Sequence, residues 1–311
     1  MRRLGAKPTA DRGVVLLNAL LLVVAMAAAA NGVLALAVGD TTRLAAIHRG
    51  DQAALYLDAG TPLVSHVLKS DWDNGAEIDH EGELWATEGY SVPIDRGILA
   101  GRISDLQGRF NVNWLAAEDN GAAQQAFARL VQLLGLDVAL GRAVSDYLRS
   151  GGPSNPTPYA NRALPVRTPG GALVTVAQLR VVPGMSDAAF ATLSPHLAAL
   201  PVDSGLNVNT ASAPVLAAVL PGAALRDVEK LLLDRQATPF DSPSAFARRA
   251  GSALRREVTV GPSPRDFRVV SEYFAARLDL ALDERRQSRM IWLHRSLTSG
   301  KVTELYRMTL P

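Results

Sequence analysis

The sequence has no cysteine among its 311 residues, and aromatic side chains make up only 5% of it. Without cysteine the chain has no disulfide bond, no thiol nucleophile and no cysteine-ligated zinc. Its five histidines lack the spacing of a metal site, and no nucleophile elbow, phosphate-binding loop or dinucleotide fingerprint occurs. We therefore expect no catalytic residue and no enzymatic activity.

No charged residue occurs between Arg12 and Asp40, and most residues of this stretch are valine, leucine, alanine or methionine. A helix over Val14–Gly39 would be about 39 Å long, enough to cross a hydrocarbon core of about 30 Å. The segment before it is basic, which predicts a cytoplasmic N-terminus, one membrane-spanning helix at 14–39, and the remaining chain beyond the membrane. The charged residues of that segment are Arg2, Arg3, Lys7 and Arg12, with Asp11 as the acidic one.

Two simpler interpretations of the apolar stretch stay open. A cleaved secretory signal peptide needs only about 7–15 apolar residues and a small-residue cleavage site, which Ala27–Ala30 could supply. The apolar pattern, however, continues to Val38. A plain membrane anchor explains the length of the stretch. It does not explain Gly13 at the junction with the basic segment, or the amide of Asn18 five residues further on.

Beyond the apolar stretch the helical periodicity continues to about Leu68, and Pro62 is expected to kink or restart the helix. An acidic segment follows at 71–88. A calcium-binding EF-hand loop needs glycine at its sixth position, whereas Gly75 is fifth after Asp71. We therefore predict a solvated acidic loop here and no metal ligand.

The rest of the chain alternates between strand and helix patterns. Two strands at 97–104 and 109–113 flank a glycine-ended turn, which predicts a β-hairpin. Residues 114–261 have helical periodicity, and period-two alternation returns over 274–282 before two further strands. The predicted fold is α+β: a long N-terminal helix on an antiparallel sheet, with a large all-α domain inserted between strands.

Two Pro-Gly pairs, at 183–184 and 221–222, separate predicted helices as in helix-hairpin-helix motifs. The turn of such a motif offers backbone N–H groups to DNA phosphates. DNA-binding forms usually carry a second glycine, where this chain has Ser186 and Ala224, and residues 172–247 contain no basic cluster. A structural role is favoured. A membrane-anchored DNA-binding envelope protein is the alternative function.

The junction between Gly13 and Val14 resembles the signal of type IV pilins and pseudopilins. In those proteins a prepilin peptidase cuts after the glycine and methylates the new N-terminus. Gln107–Asn113, Leu206–Ala211 and the strands at the C-terminal end resemble the protein K pseudopilins of the bacterial type II secretion system. The resemblance implies cleavage between Gly13 and Val14, methylation of Val14 and removal of a leader at 1–13.

The resemblance also implies the domain organisation and the function. A discontinuous pseudopilin α/β domain (40–113 and 262–311) would carry an inserted α-helical domain (114–261). The chain would be an inner-membrane minor pseudopilin with a periplasmic C-terminal part, capping the pseudopilus tip and helping to initiate its assembly. Asn18 stands where most pilins have a glutamate, which is thought to neutralise the terminal amine of the neighbouring subunit.

The implied partners are the type I and type J minor pseudopilins, the major pseudopilin, the prepilin peptidase and the inner-membrane secretion platform, with no nucleic acid. Calcium is associated with the inserted domain of this family. Here the loop at 150–158 contains no carboxylate. Neutral oxygens alone bind calcium weakly, so we expect no cofactor and leave calcium as the one open possibility.

Overall fold

The computed structural model describes residues 10–75, 77–86, 89–117, 121–161, 165–258 and 266–310. The chain divides into two compact units, Met1–Tyr56 and Leu57–Pro311, and we call the second unit the head. Helix α1 (Ala10–Asp73) contains the boundary between them. The structure has α1 continuous through Pro62, so the predicted restart of the helix at this residue is wrong. Most of the predicted leader, residues 1–9, lies outside the described residues.

The head contains a five-stranded antiparallel sheet in the order β1-β2-β7-β8-β9. Strand β2 pairs with β7 over its whole length, from Gly97 opposite Leu282 to Asp105 opposite Phe274. The strands are β1 (Tyr90–Ile94), β2 (Gly97–Asp105), β7 (Tyr273–Leu282), β8 (Arg285–Arg295) and β9 (Val302–Leu310).

Seven helices of the head lie in the described sequence between β2 and β7. They are α2 (Gly121–Leu133), α3 (Val138–Tyr147), α4 (Thr157–Ala160), α5 (Asp187–Leu193), α6 (Ala213–Val219), α7 (Leu225–Ala237) and α8 (Pro243–Leu254). Two short parallel bridges tie this helical segment together, β3 (Phe110–Asn111) with β4 (Leu197–Ala198) and β5 (Leu206–Asn207) with β6 (Phe267–Arg268). The α+β class, with helices inserted between strands of one sheet, is therefore confirmed.

Apolar contacts hold both the sheet and the helical segment of the head. The part of α1 that belongs to the head packs on the sheet. Gly60 lies so close to Leu278 that an added Cβ would be 2.6 Å from its Cδ1 atom. The helical segment has its own core, in which Phe110 makes an edge-to-face contact with Trp114, their ring centroids 5.0 Å apart. Both tryptophan and phenylalanine are fully buried there.

The predicted hairpin between 97–104 and 109–113 is wrong. The hairpin partner of β2 is β1, which turns into it through Asp95 and Arg96. Strand β1 contains Pro93, which cannot donate to a ladder and concealed the strand in the sequence. After β2 the chain leaves the sheet at Leu106, and Phe110–Asn111 pairs in parallel with Leu197–Ala198.

The predicted domain bounds, 40–113 with 262–311 and 114–261, remain a prediction. The two compact units divide the chain within α1 and do not separate the sheet from the helices.

Candidate functional site

The N-terminal part of α1 is the first candidate site. Within α1, the segment Leu16–Leu36 is long and apolar enough to cross a membrane. Its side chains, including that of Asn18, are exposed. Gly13 and Val14 belong to the helical backbone of α1. This uncharged surface is suited to lipid or to neighbouring apolar helices.

The second candidate site is a buried polar cluster where the end of α1, the loop after it, the sheet and the helical segment meet. Its residues are far apart in sequence but bonded to one another, and we call the cluster the polar junction. It comprises Asp71, Asp79, Glu83, Asp105, Asn207, Ser271 and Arg295.

Arg295, at the end of β8, is the central cation of the polar junction and is fully buried. Its Nη2 atom donates to both carboxylate oxygens of Asp79 at 2.6 and 2.5 Å, and its Nη1 atom donates to Asp71 at 3.0 Å. The guanidinium also lies 4.8 Å from the ring centroid of Phe274. Burial raises the pKa of Asp79 even though the charge of Arg295 opposes this. A buried ion pair of this kind requires both partners.

Asp105, the last residue of β2, accepts hydrogen bonds from four groups. Its Oδ1 atom accepts from the backbone N–H of Gln107 at 2.7 Å. Its Oδ2 atom accepts from Thr210 at 2.5 Å, Ser271 at 2.6 Å and Asn207 at 3.0 Å. Burial nevertheless raises the pKa of Asp105 to about 6. This carboxyl group therefore joins the sheet to the helical segment.

The acidic segment at 71–88 was predicted to be solvated, and that prediction is wrong for its buried members. Asp79 is fully buried, while Asp71 and Glu83 are partly buried. Glu83 accepts hydrogen bonds from the backbone N–H of His80 at 2.9 Å and from Trp85 Nε1 at 2.6 Å. Burial raises the pKa of Glu83 to about 7. The physical reason is that the loop folds inwards to meet Arg295.

Carboxylate oxygens of Asp71, Asp79 and Glu83 lie within 4.8 Å of one another, close enough to share a cation. Arg295 already supplies the positive charge to two of the three. We therefore assign no metal to this cluster. In the loop at 150–158, Ser154 donates to Asp146 on α3 through its backbone N–H at 3.0 Å and its hydroxyl at 2.6 Å. The suggestion of calcium at this loop stays a prediction.

The stretch Gln107–Asn113 joins distant segments through its amide side chains. The amide of Gln107 accepts from the backbone N–H of Glu272 at 2.6 Å and donates to the carbonyl of Gly205 at 3.0 Å. The amide of Asn113 makes two hydrogen bonds with the backbone of Leu173. It accepts from the N–H at 2.7 Å and donates to the carbonyl at 2.9 Å. The amide side chains of this stretch therefore hold distant backbone segments in place through hydrogen bonds.

The helix-hairpin-helix resemblance corresponds to a real turn between α6 and α7, in which Gly222 has a φ of 73°. In the described residues after this turn, Arg226 and Lys230 alternate with Asp227 and Glu229. Asn209, in the preceding segment, clamps Phe240 with two hydrogen bonds of 2.9 Å. The contacts of Asn209 are structural, and the alternation of acidic with basic residues gives the start of α7 no uniform positive charge.

Sequence reasoning missed the polar junction. In the sequence, Asn207 is part of the Leu206–Ala211 stretch that resembles protein K, and Asp105 lies in the turn predicted after 97–104. Arg295 and Asp79 are 216 positions apart and carry no local signal. The burial of Arg295 could have been suspected from the alternation of β8, in which every second residue from Arg289 to Arg295 is buried.

A helix with one apolar segment long enough to cross a membrane, followed in sequence by an α+β head interrupted by helices, is a pilin-like architecture. Comparison with known proteins narrows this class. The family described as "Type II secretion system (T2SS), protein K" matches residues 108–202 and again residues 206–262.

Type II secretion system protein K of Pseudomonas aeruginosa is 30% identical over 277 residues, covering 82% of this chain and 80% of the relative. Protein K of Aeromonas hydrophila is 29% identical, covering 85% and 86%. A chain in the crystal structure of the GspK-GspI-GspJ complex from enterotoxigenic Escherichia coli has a TM-score of 0.72 at 21% identity, covering 86% of this chain and 99% of that one. The chain therefore belongs to the type II secretion system protein K family of minor pseudopilins.

Proposed function

We propose that this chain caps the tip of the periplasmic pseudopilus and helps to initiate its assembly. The observation that carries this proposal is the helical segment inserted between β2 and β7. An insertion of this size gives the subunit a bulky head. Such a head suits a terminal position in a filament of packed subunits, because an internal position would have to accommodate it between neighbours.

Asn18 supports the same position. In most pilins the corresponding glutamate would pair with the terminal amine of another subunit. An unpaired carboxylate in lipid or between packed helices is costly, whereas a neutral amide avoids that cost. A subunit with nothing above it in the filament has no amine to neutralise, so Asn18 fits a subunit that begins the filament.

The proposed processing places the cut between Gly13 and Val14, with methylation at Val14. The mature helix would begin at Val14, cross the inner membrane once with its N-terminus on the cytoplasmic side, and carry the head in the periplasm. The support is the exposed apolar segment Leu16–Leu36 together with the basic residues before it.

The proposed partners are the type I and type J minor pseudopilins, as in the Escherichia coli complex with a similar fold. The major pseudopilin, the prepilin peptidase and the inner-membrane secretion platform complete the set. Each follows from the role of a pseudopilin subunit. Substrate proteins remain outside this proposal.

Processing is tested by mass spectrometry of the mature N-terminus in cells with an active prepilin peptidase. We expect a methylated Val14 in the wild-type chain and an unprocessed leader in Gly13→Val. The matched control is Gly5→Val, a glycine of the same leader that is expected to leave cleavage unchanged. An intact Gly13–Val14 bond in the wild-type chain would contradict the proposed processing.

Assembly is tested by co-purification of the full chain in detergent with the type I and type J pseudopilins of the same system. A stable heterocomplex that joins one end of isolated pseudopili would support the tip position. Incorporation of the chain along the filament, or failure to bind either partner, would contradict it.

A further inference from the structure

Arg109 is the residue of the Gln107–Asn113 stretch whose side chain the fold does not use. Gln107, Asn111 and Asn113 clamp distant backbone segments through their amides. The remaining members, Gly108, Phe110 and Val112, are closely packed. Arg109 makes a backbone hydrogen bond to Leu106, but within the described part of the chain its guanidinium has no hydrogen-bond or ion-pair partner.

Arg109 lines two cavities of the head. One is a polar cleft of about 450 Å³, which also contains Asp105, His196 and Thr210. The other is a groove of about 390 Å³, largely apolar, lined by side chains that include Trp292 and Tyr306. Burial lowers the pKa of Arg109, while the charge of Asp105 opposes this effect. The cation is thus partly removed from water without a bonded anion, an arrangement that is costly until an anion arrives.

Asp105 does not serve as that anion. Four donors already occupy its carboxylate: the Gln107 N–H, the Asn207 amide, and the hydroxyls of Thr210 and Ser271. Asp105 therefore acts on Arg109 only through its charge. The five N–H donors of the guanidinium remain available to a ligand.

The other charges of the polar cleft also leave it receptive to an anion. Glu81 pairs with Arg235 at 3.4 Å, so its charge is compensated. His196 shares a hydrogen bond of 3.2 Å with Ser212, and burial together with the charge of Arg109 lowers its pKa. The ring is therefore neutral near pH 7. Arg102, which is exposed, also lines the cleft, and Arg109 is the partly buried cation there whose guanidinium has no hydrogen-bonded partner among the described residues.

We propose that Arg109 anchors a carboxylate from an acidic side chain of a partner subunit, which enters the cleft when the pseudopilus tip assembles. A carboxylate matches the planar fork of one guanidinium, whereas a doubly charged phosphate would be repelled by the nearby Asp105. The neighbouring groove favours a protein ligand. Trp292 and Tyr306 stack there with centroids 4.2 Å apart, and β9, the edge strand of the sheet, forms one wall. A chain segment lying along this edge could place its acidic side chain at Arg109.

This proposal rests on the proposed function, and its test compares Arg109→Gln with the control Arg226→Gln. Arg226 is an arginine of α7 with an 83% exposed side chain. Affinity of the full chain in detergent for the type I and type J pseudopilins is measured by titration. We expect Arg109→Gln to weaken binding by about 30-fold or more, because it leaves a buried carboxylate unpaired. Arg226→Gln should bind like the wild type.

Urea unfolding of the same variants separates binding from folding. Since the guanidinium of Arg109 has no bonded partner among the described residues of the head and its partial burial is costly, Arg109→Gln should retain or raise the wild-type unfolding midpoint. A lowered midpoint with a proportional loss of binding would overturn the proposal, because it would assign Arg109 to the fold. Wild-type affinity in Arg109→Gln would overturn it as well.

A small probe distinguishes the source of the carboxylate and separates this proposal from the proposed function. The melting temperature is measured with succinate against sodium chloride of equal ionic strength. A succinate-specific rise in the wild type that is absent in Arg109→Gln supports the carboxylate site, even where the wild-type chain fails to bind pseudopilins. If the melting temperature rises with succinate in this way but Arg109→Gln still binds the pseudopilins like the wild type, the partner subunit is not the source of the carboxylate. The site would then be assigned to a free carboxylate. If succinate has no effect and Arg109→Gln binds the pseudopilins like the wild type, the result overturns both a partner subunit and a free carboxylate as the ligand of Arg109.

Discussion

The described helix between Leu16 and Leu36 exposes apolar side chains, whereas the head buries charged ones such as Asp79 and Arg295. Proteins in water usually bury apolar side chains and expose charged ones. The apolar segment departs from this rule by exposing apolar side chains, and the head departs from it by burying charged ones. We expect the apolar segment to find its complement outside the chain, in lipid or in neighbouring helices. The buried charges have theirs inside, as each carboxylate meets a cation or hydrogen-bond donors.

The difference shows which parts of the chain depend on assembly. Within the described residues of the head, each carboxyl group of the polar junction meets a cation or hydrogen-bond donors, so the junction positions the sheet against the helical segment before any partner binds. The apolar segment and Arg109 lack a complement within the described chain. These are the places where we expect the membrane and the partner subunits to act.

The largest effect is expected at the centre of the polar junction. Arg295→Met would leave Asp79 and Asp71 buried without their cation and lower the free energy of unfolding of the head by about 3–5 kcal/mol. Urea unfolding in detergent measures this through tryptophan fluorescence, because all four tryptophans lie in the head.

The matched control for that experiment is Arg307→Met. Arg307 is a partly exposed arginine of β9 that pairs with Asp58 at 3.0 Å. Its loss should cost less than about 1 kcal/mol, since solvent screens the pair. Equal losses in the two variants would remove the distinction between buried and exposed charge.

A smaller effect is expected in the apolar segment. Met26→Arg places a charge near the middle of Leu16–Leu36 and should oppose membrane insertion by about 2.5–3.5 kcal/mol. The fraction of the chain that resists carbonate extraction from membranes measures this effect, with Met26→Leu as the control. Full retention of Met26→Arg would show that this face of the helix meets water or a polar partner instead of lipid.

The smallest effect is a pH dependence of the head. Glu83 retains its proton in the folded head up to about pH 7, whereas the exposed side chain releases it near 4.5. The folded state therefore binds more protons than the unfolded state between these values, and its stability falls as pH rises through that window. Glu83→Gln should flatten this part of the profile and raise stability above pH 7 by about 1 kcal/mol, after allowance for partial exposure.

Unfolding midpoints from pH 4.5 to 8 check this prediction. An unchanged slope in Glu83→Gln would assign the pH dependence to another group. Asp105, whose pKa is raised to about 6, would then be the next group to test.

Local periodicity predicted the long helix, the helical segment and the strands near the C-terminus, because each pattern depends on residues a few positions apart. It failed at β1, where Pro93 obscured the strand, and at Arg109–Asn113, where the alternating Phe110 and Val112 belong to the helical core. The polar junction was missed for a different reason. Its contacts join residues as distant as Asp79 and Arg295, and no local pattern reports a pairing across 216 positions.

The amino-acid sequence by itself determined the apolar segment, the order of helices and strands and the likeness to pseudopilins, since these follow from neighbouring residues. Only the tertiary structure decided which acidic residues are buried, which cation they share, and that Arg109 has no bonded partner in the described chain. The physical reason is that burial and pairing are properties of packed surfaces. Those surfaces exist only once the sheet and the helical segment have closed on one another.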